Sequence, residues 1–238
     1  MWPDAGARPN SAPRSYGNRP RKVQQLAAAL VFAVLALVSA HGAAEAAQRT
    51  IKVVALGDSL TAGYQLAGSD AFPVQLEKVL KAKGYAVEVA NAGVSGDTSS
   101  GGLARLDWSV PEGTDAVIVE LGANDMLRGI DPHVTRKAIG TIVRKLRERH
   151  IAVLLCGMVA SPNLGKDYAA AFNLIYPDMA VAYGAIYYPF FLNGVATFAN
   201  LNQRDGLHPT AAGIDVIVDK ILPSVEQLIV WAKAERRS

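Results

Sequence analysis

Five short apolar runs rich in β-branched and aromatic residues, at 51–56, 85–90, 115–121, 151–156 and 185–188, recur along the chain. Segments with helical spacing lie at 72–83, 98–109, 132–149, 167–183 and 210–235. Strands that are apolar on both faces and separated by helices must cross over into parallel neighbours, with both faces of the sheet covered. The pattern therefore predicts an α/β domain with a parallel five-stranded sheet between two helical layers, a three-layer α/β/α arrangement. Ligands of such sheets bind beyond the carboxyl ends of the strands, so the residues just after each run are the first candidates for a site.

The sequence ahead of this pattern reads differently. Residues 1–18 are rich in Pro, Gly, Arg and Ser and are expected to be disordered. The basic residues Arg19, Arg21 and Lys22 then lead into an apolar stretch of 13 residues at 26–38, followed by small residues that include Ala44-Glu45-Ala46. A spanning helix needs roughly 20 residues, so this stretch reads as a secretory signal peptide cleaved near Ala46. The expected organisation is an export segment over 1–46 and one enzyme-sized domain over 47–238, placed in the periplasm or secreted.

Charge narrows the partners. The first 46 residues carry five of the 24 basic side chains and two of the 21 acidic ones, which leaves 19 of each for the rest of the chain. A domain with no net charge has no field to draw in nucleic acid. Arg144, Lys145, Arg147 and Arg149 cluster on one expected helix. They read as a solvated face, with transient contact to an anionic membrane surface as the alternative. Cys156 is the sole cysteine and falls within an apolar run, so a buried strand residue is expected there.

Four segments carry candidate chemistry. Gly57-Asp58-Ser59-Leu60-Thr61 follows the first run and places a hydroxyl where a helix begins. Taken singly, Ser59 reads as a helix N-cap. The segment is not the Gly-x-Ser-x-Gly elbow, because Thr61 stands at the second glycine position. Asp205-Gly206-Leu207-His208-Pro209 precedes the last helix. A serine hydroxyl needs an imidazole to take its proton, and that ring needs a carboxylate to set its tautomer. Asp205 and His208 suit those roles, although a turn with a helix-start histidine fits them equally. Gly93, in the stretch after the second run, and Asn124, after the third, suit the donors that an oxyanion requires; singly, each reads as a turn residue.

Together these segments resemble the SGNH (GDSL) hydrolase family, through Ser59 in Gly-Asp-Ser-Leu, Gly93, Asn124 in Gly-Ala-Asn-Asp, and His208 with Asp205 in Asp-x-x-His. The resemblance extends over about 51–231 to the periplasmic branch with acyl-CoA thioesterase, lysophospholipase and arylesterase activities. It includes Ser59-Leu-Thr-Ala-Gly-Tyr64, Ser95-Gly-Asp-Thr-Ser99, Gly102-Leu-Ala-Arg-Leu106, Asn124-Asp-Met-Leu-Arg-Gly129, Ile175-Tyr-Pro177 and Pro189-Phe-Phe191. It departs at Thr61, where many relatives carry serine, and at Ala123, where the branch often has glycine.

The resemblance implies a flavodoxin-like SGNH hydrolase fold and cleavage of carboxylic esters and thioesters through an acyl-enzyme. Ser59 would be the nucleophile, His208 the base and then acid, and Asp205 its orienting group. The N–H groups of Ser59 and Gly93 and the Asn124 amide would hold the oxyanion, while Asp58 and Asp125 brace their loops. Loops 126–130 and 160–165, with Met126, Leu127, Ala160 and Pro162, are expected to wall the acyl group of a small-molecule or lipid ester. Two other functions remain on this fold, a carbohydrate O-acetyl esterase and a non-catalytic lipid or glycan binder.

Metal and nucleotide chemistry find no support. His41, His133, His150 and His208 form no pair with zinc-site spacing, and neither a Walker lysine nor Gly-x-Gly-x-x-Gly follows the first run. No cofactor is expected. Oligomeric state, acyl chain length and physiological substrate are not legible in the residues.

Overall fold

Parallel pairing of all five runs organises the fold, which a computed structural model describes over residues 49–236. The expected disordered tail and export segment lie outside those residues. The strands are β1 (Ile51–Gly57), β2 (Val87–Gly93), β3 (Ala116–Glu120), β4 (Ala152–Cys156) and β5 (Ile186–Tyr188). Their spatial order is β2-β1-β3-β4-β5, every pair parallel, which is the flavodoxin-like order. The helices are α1 (Ser59–Ala62), α2 (Phe72–Ala82), α3 (Ser99–Ala104), α4 (Leu106–Ser109), α5 (Ala123–Leu127), α6 (Pro132–Glu148), α7 (Lys166–Asn173), α8 (Ile175–Tyr183) and α9 (Ala211–Glu235). Helices α2 and α9 pack together on one face of the sheet, and α3, α6 and α8 on the other.

Both faces of β3 and β4 are buried throughout, which is why their sequences show no alternation. Each fully buried aliphatic side chain there contributes about 1.5–3 kcal/mol. Cys156 closes β4 inside this core, as expected, and burial pushes its thiol well above the ordinary range. By contrast β2 is an edge strand, with Val87 and Val89 buried and Glu88 and Ala90 exposed. It also runs on through Asn91, Ala92 and Gly93, residues expected to form a loop. Pairing with β1 continues in register as far as Gly57↔Gly93, and that non-local ladder overrides the turn composition.

Two expected helices are each broken in two. The segment 98–109 divides at Arg105, and 167–183 divides at Leu174. Pro177 lies in the first turn of α8 and has no N–H to offer Asn173, so a continuous helix would lose that bond. The basic run on α6 is less a free face than expected. Arg144 pairs with Glu148 at 2.6 Å, Lys145 with Asp107 at 3.0 Å and Arg147 with Glu235 at 2.8 Å, while Arg149 donates to the Val110 carbonyl at 2.7 Å. No helix among the described residues is long and apolar enough to cross a membrane.

Candidate active site

Strand order reverses at β1, which has β2 on one side and β3 on the other. A crevice opens at the carboxyl ends of strands around such a reversal. Ser59 follows β1, Gly93 ends β2 and Asn124 lies just beyond β3, so three of the expected residues reach one rim by topology alone. His208 arrives from the loop ahead of α9. That loop is held by the Thr210 N–H donating to the Leu201 carbonyl at 2.9 Å, the Gln203 N–H donating to the His208 carbonyl at 2.7 Å, and Gln203 Nε2 donating to the Tyr64 carbonyl at 2.8 Å.

The corner carrying Ser59 is tight. A Cβ on Gly57 would sit 2.0 Å from Thr61 Oγ1, and one on Gly93 would sit 2.3 Å from the Ala62 nitrogen. Glycine at 57 and 93 lets β1, α1 and β2 close on one another. The N-cap of α1 is Asp58, not Ser59. Its Oδ1 accepts from the Leu60 N–H at 3.0 Å, which frees the Ser59 hydroxyl from capping. That hydroxyl lies 2.9 Å from His208 Nε2, and His208 Nδ1 lies 2.7 Å from Asp205 Oδ2. With Nδ1 protonated toward Asp205, Nε2 presents a lone pair to the serine O–H. Proton withdrawal from Ser59 is what this line of groups can do.

Asp205 is fixed in turn. Its Oδ1 accepts from the N–H groups of Leu207 and His208 at 2.9 and 3.1 Å. The Leu207 N–H first, then the His208 ring and N–H, lower its carboxyl from 3.8 to about 2. A depressed acid favours the native state once ionised. Its stabilising effect is full above about pH 4 and vanishes as the pH falls toward 2. The melting-temperature gap between the wild type and Asp205→Asn should accordingly shrink across that window. A gap that widens on acidification would contradict the assignment.

The groups expected to act as oxyanion donors are partly engaged within the protein. Asn124 Nδ2 donates one hydrogen to Asp58 Oδ2 at 3.0 Å, and the amide has a second. The Gly93 N–H donates to Asn91 Oδ1 at 2.9 Å. An anionic oxygen is a stronger acceptor than this neutral amide and can compete for the bond. Asp125 is buried and braces its loop, as expected, accepting from Ser99 N at 2.8 Å, Ser99 Oγ at 2.5 Å and Thr135 Oγ1 at 2.9 Å. Of the residues expected to line a substrate, Leu127 is 54% exposed and Pro162 is exposed. Met126 Sδ accepts from Ser161 N at 3.2 Å, and Ala160 is buried with its N–H on Asn173.

Three contributors escaped the sequence reading. The Arg105 guanidinium, nearly buried, pairs with Asp97 at 2.6 Å and donates to the carbonyls of Ala92 and Gly57, both at 2.8 Å. It thereby ties the ends of β1 and β2 together behind Ser59 and Gly93. Glu120 lies beneath α1 and accepts from Thr61 Oγ1 at 2.8 Å. The Tyr64 ring packs on that of His208 with centroids 4.5 Å apart. Arg105 and Tyr64 belong to the motifs at 102–106 and 59–64, but only proximity gives them a role. Glu120 looks like one more residue of a strand end.

Known proteins are similar to this chain in sequence and fold. A model of the GDSL-like Lipase/Acylhydrolase family matches residues 55–216. Esterase TesA of Pseudomonas aeruginosa is 38% identical over 186 residues, 78% of this chain and 92% of that protein. Thioesterase 1/protease 1/lysophospholipase L1 of Escherichia coli strain K12 is 35% identical over 175 residues, 73% of this chain and 83% of that protein. The crystal structure of AlinE4, an SGNH-hydrolase family esterase, superposes with a TM-score of 0.64 at 41% identity, covering 75% of this chain and 96% of that one. With the strand order, the Ser59 corner and these matches in agreement, the chain belongs to the GDSL-like lipase/acylhydrolase family, that of the SGNH hydrolases.

Proposed function

We propose that this protein hydrolyses carboxylic esters and thioesters of acyl chains through an acyl-enzyme on Ser59. The observation that carries the reading is the continuous line from Asp205 through His208 to the Ser59 hydroxyl, at 2.7 and 2.9 Å. His208 Nε2 takes the serine proton as Oγ attacks the acyl carbon, then returns it to the departing alcohol or thiol. Water adds by the same route in reverse, with His208 again as base, and releases the acid. Asp205 holds the Nδ1–H tautomer and stabilises the imidazolium. The Ser59 and Gly93 N–H groups and the free hydrogen of the Asn124 amide receive the carbonyl oxygen as it gains charge.

An apolar acyl group fits the surroundings. Tyr64, Val94, Leu127, Val159 and Leu207 are large apolar side chains between 39% and 54% exposed, on the segments that bear the site or adjoin it. Val94 directly follows Gly93 and Leu207 directly precedes His208. Met126 and Leu127, with Pro162 across the Met126–Ser161 contact, wall the acyl groove. Ala160 shapes that wall from behind. The basic run at 19–22, the apolar stretch at 26–38 and Ala44-Glu45-Ala46 support export and cleavage near Ala46.

A panel of p-nitrophenyl esters, with an octanoyl thioester beside it, tests the substrate class on the purified protein. Octanoyl esters should exceed acetyl esters in kcat/KM. Strict preference for acetyl would replace this reading by a carbohydrate O-acetyl esterase.

A further inference from the structure

Glu120 closes β3 beneath the corner that presents Ser59, and it is only 1% exposed. Its Oε2 accepts from Thr61 Oγ1 at 2.8 Å and from the Asp58 N–H at 3.4 Å, whereas Oε1 is buried and meets no donor. Glu120 and Asp58 are joined through that Asp58 N–H, and each carboxyl group feels the other's charge. Ionised carboxylates only accept. Two that repel each other, one with a bare oxygen in the core, would carry a large desolvation and repulsion cost, and one proton held between them removes it.

Arg105, the cation that reaches the Gly57 carbonyl next to Asp58, is paired with Asp97 and bonds neither carboxyl of the pair. Glu120 faces Asp58, with Cys156 beside it on β4 and Tyr176 on α8; Asp58 faces Glu120, His208 and the Asn124 amide. Asp58 is the member with good donors to its oxygens, Leu60 N and Asn124 Nδ2, both at 3.0 Å. We propose that Glu120 is a neutral acid, protonated at the bare Oε1 and sharing that proton with Asp58, and that the pair positions Asn124. Asp58 captures one amide hydrogen so that the other is aimed at the substrate oxygen. Thr61, by donating to Oε2, fixes which Glu120 oxygen carries the proton; a serine hydroxyl there would serve equally. Burial in the first place, and the Asp58 charge in the second, raise the Glu120 carboxyl well above the usual range. Asp58 is raised to about 6, mainly by burial. The inference rests on Asn124 being an oxyanion donor.

Infrared difference spectra of the full protein against Glu120→Gln at neutral pH should show a protonated-carboxyl C=O stretch in the wild type that the variant lacks. In kinetics, Glu120→Leu should lower kcat by about tenfold or more with little change in KM, the usual scale for losing a hydrogen bond to a charged group. Glu120→Gln, which keeps a donor for Asp58 and an acceptor for Thr61, should recover most of that loss. In an Asn124→Ala background, Glu120→Leu should cost nothing further. Absence of the band, or an equal loss in both backgrounds, overturns the Glu120–Asp58 link. Wild-type turnover in Asn124→Ala alone overturns the oxyanion reading instead. If Glu120→Leu fails to fold, the infrared comparison with Glu120→Gln still decides.

Discussion

Replacing Ser59 by alanine is expected to lower kcat by roughly 10³-fold or more while the fold is kept, the usual scale for losing a nucleophile. The physical case is specific to this corner. Because Asp58 caps α1, the Ser59 side chain has no structural bond to lose, and its hydroxyl serves the His208 contact at 2.9 Å. Alanine is also a good helix former at the first position of α1. An unchanged melting temperature with lost turnover separates chemistry from folding. His208→Ala should fall to a similar level, and the double variant should be no worse than either single one, since the two residues act as a unit. A fluorophosphonate probe should label the wild type and leave Ser59→Ala unlabelled. Failure of a folded wild-type sample to label would favour a non-catalytic binder on this fold.

The second large effect is expected at Asn124, where alanine should lower kcat by about 10² to 10³-fold, the usual loss on removing one oxyanion donor. The substrate carbonyl in its ground state is a weak acceptor and the tetrahedral oxyanion a strong one, so the loss belongs in kcat far more than in KM. Asp58 already holds one of the Asn124 amide hydrogens at 3.0 Å, which sets the rotamer before any substrate arrives. Gly93 differs, since its N–H must be released from Asn91 Oδ1. Asn91→Ala therefore makes a useful control. Retained activity with Asn91→Ala beside the loss in Asn124→Ala would separate the donor from its competitor.

The path from sequence to site shows where local signals suffice. The two-sided apolar runs at β1, β3 and β4 demanded a covered parallel sheet, and the places just after them were open to a ligand whatever the helices did. The places of Ser59 and Asn124 followed from that logic and a short loop could bridge Asp205 to His208, but each read singly as a cap or turn, and their expected roles came from the four segments taken together. Segment ends were less legible. The extension of β2 through Gly93 depends on its neighbour β1, and the break at Leu174 depends on one missing N–H in the next turn.

By itself, the order of apolar runs and turn residues determined the sheet, its crossovers and the set of reactive groups brought to one rim, because periodicity and backbone chemistry act over a few residues at a time. Only the tertiary structure decided what those groups rest on. Asp58 became a cap and an anchor, Arg105 a tie between two strand ends, and Glu120 a buried acid beneath the nucleophile. Those roles come from desolvation and from hydrogen bonds between residues tens of positions apart, and both exist only once the chain has closed around them.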